Sequence, residues 1–342
     1  MTGATRFDGA MDLVELDPRN VDAETAEAIA DVVAAARRAE TSAPTPTSGP
    51  TVRLRKRYGW GVERPDWLVV VRAADRIVAT ATMMFPRRSN RHLAYLWIDV
   101  HPDHHRQGIG STLLRHAEEY ALGADRRSLT GFASRDGVGA AFAAARGFEP
   151  GLDNARRRLT LSGVDPARWV AHRSEALEHA ADYELVRVLG PSDDALLAGL
   201  TPLFAAINDA PTGDLDVEPD AFDMSSIQAY EEAMAARDQT MYRVLARRRS
   251  DGCWAGHTIA LVDRQAPQWA AQEDTSVLTE HRGHRLGLAM KADLLAWLAE
   301  AEPQLQWIQT WNAETNLHML AVNETLGFVL FARIIQYQKA LP

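Results

Sequence analysis

The chain has 342 residues, a hydrophobic fraction of 46% and a formal net charge of −9. This length corresponds to about two domains of ordinary size, and the acidic balance argues against nucleic acid as the main partner. No stretch is long or apolar enough to span a bilayer, and residues 1–10 lack signal-peptide character. The single cysteine, Cys253, cannot form an internal disulfide, which fits a reducing compartment. We therefore expect a cytoplasmic protein of two domains.

Strands and helices alternate along the first half of the sequence. Alanine favours the first helix, a Ser/Pro/Thr/Gly-rich stretch indicates a loop, and Ala74-Asp75 marks a hairpin turn. The predicted elements are the strand 12–16, the helix 22–38 capped by Asn20, the loop 41–51, the hairpin strands 67–72 and 77–85, the strand 93–101, a helix ending near 122, the strand 128–133, the helix 137–146 and the strand 156–161. A further helix over 168–181 is predicted to link this half to the next.

The second half repeats this order. Its predicted elements are the strand 184–189, the helices 193–208 and 225–238, the hairpin strands 241–248 and 255–262, the strand 272–278, the helix 286–299, the strand 307–311, the helix 316–326 and closing strands over 328–341. Mixed helices and strands in this order indicate an α/β class, with a mixed sheet in each half.

One segment occurs twice, and it joins a strand, a basic glycine-containing loop, a helix, a second strand and a short helix closed by Gly-Phe. The loop glycines Gly110 and Gly287 lie 177 positions apart, and the Gly-Phe pairs that start at Gly147 and Gly327 lie 180 apart. Two landmarks thus give nearly one repeat length, which indicates duplication of a whole domain. We place the domains at 1–165 and 183–342, with a helical linker at 166–182.

The repeated loop predicts anion binding. Where a strand turns directly into a helix, the first N–H groups of the helix are unpaired and its dipole presents a positive end. Glycine lets the backbone close around a phosphate, and both loops add histidine and arginine. A dinucleotide fingerprint would need another glycine where the copies have Leu113 and Met290, and a P-loop would need Gly-Lys-Ser/Thr, which neither copy has. A diphosphate of another kind is therefore expected.

The loops resemble the coenzyme A loop of the GCN5-related N-acetyltransferases, Gln/Arg-x-x-Gly-x-Gly/Ala. The first copy has Gly108 and Gly110 with His105 at the first position, and the second has Arg282 and Gly287 with Arg285 replacing the first glycine. The resemblance covers nearly the whole chain, and the pairing is similar to that of the tandem acetyltransferases, a group that includes mycothiol synthase. It implies two GNAT-like acyl-CoA N-acyltransferase domains, each with a sheet that opens between its fourth and fifth strands around acetyl-CoA. The implied cosubstrate is acetyl-CoA, the implied acceptor is a small-molecule amine, and no metal is implied.

The resemblance also assigns cofactor-binding residues. In the second copy these are Val277, Leu278, Arg282, Gly283, His284, Arg285, Leu286, Gly287, Leu288, Asn312 and Asn316. In the first copy they are Val100, Arg106, Gln107, Gly108, Ile109, Gly110 and Ser111. For Asn316 the alternative is a helix cap.

Acetyl transfer to an amine needs a base, and the family often places it at the start of the strand before the loop. The second copy has Glu273 and Asp274 there, on opposite faces by simple alternation, whereas the first has no carboxylate before Asp99. An exposed strand end is the alternative for both residues. The asymmetry makes the second domain the catalytic candidate and the first a degenerate partner.

The family's acid, a tyrosine, is missing from both copies. Its positions hold Ala143 and Asn323; Asn323 could hydrogen-bond the sulfur, with solvent or Tyr337 supplying the proton. This gap keeps open a non-catalytic sensor of acyl-CoA, and transfer of a larger acyl group is another alternative.

An acidic loop precedes the second hairpin. Its members are Asp209, Asp214, Asp216, Glu218, Asp220 and Asp223. The loop would attract a cationic amine, such as an amino sugar, if it lay at the acceptor mouth. The alternative is an ordinary solvated loop.

Overall fold

A computed structural model describes residues 4–7, 11–41 and 45–342. Residues 42–44 of the predicted loop, and most of the first ten residues, lie outside the described ranges. The chain divides into two compact units, each built from separate stretches of sequence. Unit 1 comprises Met1–Asp153, Thr212–Pro219 and Ala332–Pro342, and unit 2 comprises Asn154–Pro211 and Asp220–Phe331.

Unit 1 contains a mixed sheet with two helices on each face. Its helices are α1 (Ala23–Glu40), α2 (Gly49–Tyr58), α3 (Ile109–Gly123) and α4 (Val138–Ala145). Its strands are β1 (Ala4–Phe7), β2 (Met11–Leu16), β3 (Pro65–Ala73), β4 (Arg76–Met84), β5 (Leu93–Val100) and β6 (Ser128–Ser134). The strands follow this order across the sheet, and all pairs are antiparallel except β5 with β6.

Strand alternation divides the core of unit 1 into two layers. Leu68 and Val70 of β3 lie in a buried cluster with the apolar side of α1, while Val69 and Val71 lie in a second cluster with α3. The parallel pairing of β5 with β6 runs only from Leu93–Ser128 to Tyr95–Thr130. The two strands separate beyond that point, as the resemblance implies.

Unit 2 repeats the arrangement. Its helices are α5 (Ala167–Glu178), α6 (Asp194–Ala205), α7 (Met224–Ala236), α8 (Leu286–Ala301) and α9 (Leu317–Thr325). Its strands are β8 (Tyr183–Leu189), β9 (Gln239–Arg248), β10 (Trp254–Asp263), β11 (Trp269–Val277) and β12 (Trp307–Ala313). Parallel pairing of β11 with β12 ends at Ala271–Gln309, so this sheet also opens. Helix α8 is buried on nearly all sides, because α5 packs on it opposite the sheet.

The last strand of each sheet comes from the other half of the sequence. β7 (Glu149–Thr160) begins in unit 1, but its residues from Asn154 pair with β12 in unit 2. β13 (Val329–Ala340) ends in unit 1, where Ile334–Ala340 pairs with β6. The domain boundaries at 165 and 183 remain a proposal about the repeated sequence, whereas the compact units follow the exchanged strands.

Two predicted details of the first half are wrong. The predicted loop contains the start of α2, whose first turn is capped by the Ser48 hydroxyl. This helix was not predicted because it is rich in arginine and has Val52 as its one buried apolar side chain, which gives no clear amphipathic pattern. The cap of α1 is Asp22, which accepts from Thr25 N–H at 2.8 Å, while the Asn20 side chain donates to Asp17. No helix in the described ranges is long and apolar enough to cross a membrane.

Candidate functional site

The two repeated loops share one backbone design. In unit 1, His101 N–H donates to Val78 O and the His105 ring nitrogen Nε2 lies 3.0 Å from the carbonyl oxygen of Val100. In unit 2, Leu278 N–H donates to Ala255 O and Arg282 Nε donates to the carbonyl of Val277 at 3.1 Å. The residue at the first motif position thus ties each loop to the end of its strand.

Each loop requires two residues in the left-handed region. They are Arg106 and Gly108 in unit 1, with φ of 61° and 81°, and Gly283 and Arg285 in unit 2, with φ of 85° and 52°. Each copy therefore has one glycine and one arginine at these positions, in opposite order. The arginine that interrupts the motif in the second copy adopts the conformation of the glycine it replaces, at the energetic cost of a left-handed side-chain residue.

The helices that follow the loops begin with unpaired N–H groups. The first helical hydrogen bonds run from Thr112 N–H to Gly108 O and from Ala289 N–H to Arg285 O. In the described chain, neither α3 nor α8 has a hydrogen bond from its N-cap side chain to the first turn of the helix. A Cβ added to Gly287 would meet nothing within 4 Å, and one added to Gly110 would meet only the Phe142 ring at 3.3 Å. The N–H groups left for an anion are those of Ile109, Gly110, Ser111, Leu286, Gly287 and Leu288.

The charges around the two loops differ. In unit 2, Arg282 forms an ion pair with Asp209, and Arg285 forms one with Glu175 at 2.9 Å. His284 lies 3.3 Å from the carbonyl of His179. Both arginines of the unit 2 loop are therefore paired with carboxylates.

The loop of unit 1 gains a cation instead. Arg146 of α4 donates to the Ser111 hydroxyl at 2.5 Å, in the first turn of α3. Gln107 donates to the carbonyl of Asp103 at 3.3 Å, and Arg106 is exposed. An anion at the N-terminus of α3 would therefore meet both the helix end and the Arg146 guanidinium.

A β-bulge interrupts β11 of unit 2 where the carboxylates lie. Thr258 pairs with Thr275 and Ala260 with Gln272, so Glu273 and Asp274 together face the single residue Ile259. The regular alternation on which the expectation of opposite faces rests is therefore interrupted at these two residues. The equivalent strand of unit 1, β5, pairs with β4 without a register shift.

Both carboxylates lie near the hydroxyl of Tyr230 on α7. Burial raises the pKa of Tyr230 well above its usual value, and the charges of Glu273 and Asp274 raise it further. Burial also raises the pKa of Asp274 to about 6, with a smaller contribution from Asp220. Glu273 is exposed. The protonation of Asp274 therefore changes near neutral pH.

A group of buried polar side chains lies next to this region. Arg243 and Glu231 are both enclosed and form an ion pair at 2.8 Å, and Ser192 bonds to each of them. His257 is fully buried, packs edge-on to Phe204, and has no partner for either ring nitrogen in the described structure. Burial lowers the pKa of His257 to about 3, so its ring is neutral. No sequence motif indicated these residues, because their roles depend on distant elements.

The three predicted asparagines of unit 2 lie on β12 and α9. Asn323 is fully buried and donates through Nδ2 to Asn312 Oδ1 at 2.7 Å, while its own Oδ1 has no partner within the described chain. In this orientation Asn323 offers an acceptor, which suits an N–H donor better than a thiolate. Asn316 caps α9 by accepting from Met319 N–H at 3.2 Å, the alternative considered for it.

Tyr337, the other acid suggested for the second copy, belongs to unit 1. It lies in a buried cluster with Ala143, the family's tyrosine position in the first copy, and Ile335. The exchange of closing strands therefore places Tyr337 among residues of the first copy.

The acidic loop is also divided. Its segment Thr212–Pro219 belongs to unit 1, where Glu218 N–H donates to Asn90 Oδ1 at 2.6 Å and the Asp216 carboxylate lies 3.4 Å from Nε2 of His92. Asp223 caps α7. Asp209, Asp220 and Asp223 belong to unit 2, and of these Asp220 raises the pKa of Asp274.

Comparison with known proteins agrees with the duplicated fold. The model of the acetyltransferase (GNAT) family matches residues 33–148, within the first copy. A comparison with curated proteins finds no significant match. A solved tandem GNAT protein from the clavulanic acid biosynthesis pathway, without acetyl-CoA, has 25% identity and a TM-score of 0.80, covering 97% of this chain and 99% of that chain.

Two more distant structures share the fold. A GCN5-related N-acetyltransferase from Sphaerobacter thermophilus has 15% identity and a TM-score of 0.69, with 96% of each chain covered. A glucosamine N-acetyltransferase region of a fungal multi-domain GH3 β-N-acetylglucosaminidase has 13% identity and a TM-score of 0.62, covering 96% of this chain and 38% of that chain.

The segment that the acetyltransferase (GNAT) family model matches lies within the first copy and spans residues 33–148 of the 342-residue chain. Over nearly its whole length the chain has the fold of a tandem GNAT protein. The matched segment and the tandem architecture support acyl transfer from an acyl-CoA as the class of reaction. The likeness to mycothiol synthase is not confirmed by these comparisons.

Proposed function

We propose that the protein transfers an acetyl group from acetyl-CoA to the amine of a small molecule, and that unit 2 performs the chemistry. The observation that carries this proposal is the β-bulge of β11, which brings Glu273 and Asp274 together beside the opened sheet. A carboxylate there can accept the proton of the attacking amine, directly or through water. The pKa of Asp274 is about 6, which is close to the range in which a general base is most effective.

The remaining parts of the proposed site follow the strand. The loop from Arg282 to Gly287 would hold the diphosphate of coenzyme A at the N-terminus of α8. Val277 would pair through its backbone with the pantetheine arm. The unpartnered Oδ1 of buried Asn323 would accept a hydrogen bond from the cofactor, and a proton for the leaving thiolate would come from solvent.

The acceptor is expected to be a cationic amine. The groups available to it around the bulge are Glu273, Asp274, Asp220 and the hydroxyl of Tyr230. Glucosamine acetylation is the activity named for one distant structure of the same fold, so amino sugars belong in a first acceptor screen with linear polyamines and neutral amines.

Asp274→Asn provides the central test. We expect kcat to fall about 10²- to 10⁴-fold, the usual contribution of a general base, with little change in KM for acetyl-CoA. Glu273→Gln is the matched control and should keep most activity, because Glu273 is the exposed member of the pair.

The pH profile gives a second readout. In wild type, kcat/KM should fall about tenfold per pH unit below about 6, because protonated Asp274 cannot act as a base; the Asn variant should lose this limb. Full activity of Asp274→Asn with an unchanged profile would contradict the assignment of the base. Binding of acetyl-CoA without turnover of any amine would instead favour a sensor.

A further inference from the structure

Lysine is rare in this chain. Only three lysines, Lys56, Lys291 and Lys339, occur among 37 lysine and arginine residues. Lys291 is 1% exposed within unit 2, and Lys339 donates to Glu118 at 2.5 Å in unit 1. Lys56 is partly exposed, as is Lys339, but no carboxylate forms an ion pair with it in the described chain, and its amine donates to Thr82 within the sheet of unit 1.

The register of the sheet places the Lys56 amine. Its Nζ donates to the hydroxyl of Thr82 on β4, and Thr82 pairs with Trp97 on β5. Trp97 lies two residues beyond Tyr95, the last residue of β5 that pairs with β6. The amine therefore lies beside the separation of the two strands, on the sheet face that α1 and α2 cover.

The same opening leads to a loop suited to a diphosphate. β5 ends at Val100 and continues into the loop with Arg106, Gly108 and Gly110, where α3 begins uncapped and Arg146 adds a cation. An extended acyl-CoA held by this loop would run back along β5 toward Trp97. Its thioester would then approach the Lys56 amine from the opened edge.

Charged groups from three elements surround Lys56. Burial lowers the pKa of Lys56 to about 8; Asp99 of β5 opposes this shift, while Arg55 of α2 and Arg37 of α1 reinforce it. Burial raises the pKa of Asp99; the charges of Arg37 and Lys56 oppose this shift, and Glu40 of α1 reinforces it. At pH 7 about a tenth of Lys56 is therefore neutral, compared with less than about 0.1% for a lysine of ordinary pKa.

We propose that Lys56 is itself an acyl acceptor, so that unit 1 acylates the chain to which it belongs. The neutral Nζ attacks the thioester carbonyl carbon, the N–C bond forms and the C–S bond breaks. The extra proton on nitrogen passes through water to the Asp99 carboxylate and from there to solvent, and the coenzyme A thiolate takes a proton from solvent. The product is an amide at Lys56, which has lost the positive charge that faced Asp99.

The experiment uses the full-length protein and acetyl-CoA, with acetylated peptides quantified by mass spectrometry. We expect stoichiometric acetylation of Lys56 while Lys339, on the same unit, stays unmodified. The initial rate should rise about tenfold between pH 6 and 7 and level off above about pH 8, because the neutral amine is the reactant. Absence of acetyl-Lys56, or equal acetylation of Lys56 and Lys339, would overturn the proposal.

Two variants separate this activity from that of unit 2. Gly110→Glu should abolish acetylation of Lys56 by acetyl-CoA, because it places a carboxylate at the N-terminus of α3. Acetyl phosphate needs no cofactor loop, so it should acetylate Lys56 equally in folded wild type and in folded Gly110→Glu. Persistent acetylation from acetyl-CoA in Gly110→Glu would overturn the role of the loop. Lys56→Arg keeps the charge facing Asp99 and should keep the turnover of small amines in unit 2. The two activities are therefore separate. If wild type failed to turn over any small amine, that result would count against the proposed function and not against self-acylation.

Discussion

The two copies build the same loop backbone and surround it with different charges. Both loops tie their first motif residue to the end of a strand, and both require two left-handed residues. Around that common frame, unit 1 adds Arg146, whereas unit 2 adds the carboxylates of Asp209 and Glu175. The strand-to-helix junction thus fixes the anion-binding geometry, and the side chains from other elements set its electrostatic strength.

The strands that lead into the two loops differ in their regularity and in the charged groups near them. β11 has a bulge with two carboxylates, while β5 is regular and carries Asp99, whose charge acts on Lys56 of α2. We therefore infer a division of labour, in which unit 1 has the more positive cofactor loop and unit 2 has the base for an external amine. This inference can be broken by testing each loop separately.

A carboxylate introduced into each loop should give the largest effect. Gly110→Glu and Gly287→Glu each place a negative charge where a diphosphate would contact the helix N-terminus. Like charges at such a contact cost several kcal/mol, so each variant should weaken acetyl-CoA binding at its own site at least roughly 100-fold. Calorimetric titration should show two sites in wild type and one in each single variant.

The two variants should have different catalytic consequences. Gly287→Glu should abolish acetylation of small amines, because the proposed base lies on the same unit. If Gly287→Glu kept both the stoichiometry and the turnover of wild type, the first copy would hold the working cofactor and the assignment to unit 2 would be wrong.

A smaller effect is expected from the carboxylate that neutralises the loop of unit 2. Glu175→Gln removes the partner of Arg285 and frees its guanidinium for a phosphate. Because the pair is half-exposed, we expect only about 1 kcal/mol, or about fivefold tighter binding of acetyl-CoA at unit 2, which titration in low salt would detect. Glu178→Gln on the same helix is the matched control, and an equal gain from both variants would attribute the effect to net charge alone.

The sequence predicted much of this fold because its signals are local. Alternating strands, helical periodicity and the two Gly-Phe landmarks lie within short stretches, and most predicted elements match observed ones within a few residues. The exchange of β7 and β13 could not be predicted, because a strand's composition does not say which sheet it joins. That exchange moved Tyr337 into unit 1.

The candidate site was harder to predict than the fold. Glu273 and Asp274 were identified by their position before the loop, but their orientation depends on a bulge that only the pairing with β10 reveals. Tyr230, His257 and Lys56 were missed because distant elements bring them to the strands. The scarcity of lysine was the one sequence signal that could have drawn attention to Lys56.

The smallest expected effect concerns the left-handed arginines. Arg106 has φ of 61° and no capping role, whereas Gly108 meets the same requirement without a side chain. A left-handed side-chain residue costs about 1–2 kcal/mol, and glycine costs about 0.5–1 kcal/mol in unfolded-state entropy. Arg106→Gly should therefore raise the free energy of unfolding of unit 1 by up to about 1 kcal/mol, measured by denaturant titration.

Gln107→Gly is the matched control for that substitution. Gln107 is not among the residues with positive φ, so glycine there relieves no strain and should lower the free energy of unfolding by about 0.5–1 kcal/mol. Arg106→Gly should also weaken acetyl-CoA binding to unit 1, because it removes an exposed cation from the loop. A variant that is more stable but binds less tightly would show that Arg106 is kept for its charge despite its backbone strain; equal destabilisation by both variants would show that the left-handed position is not strained.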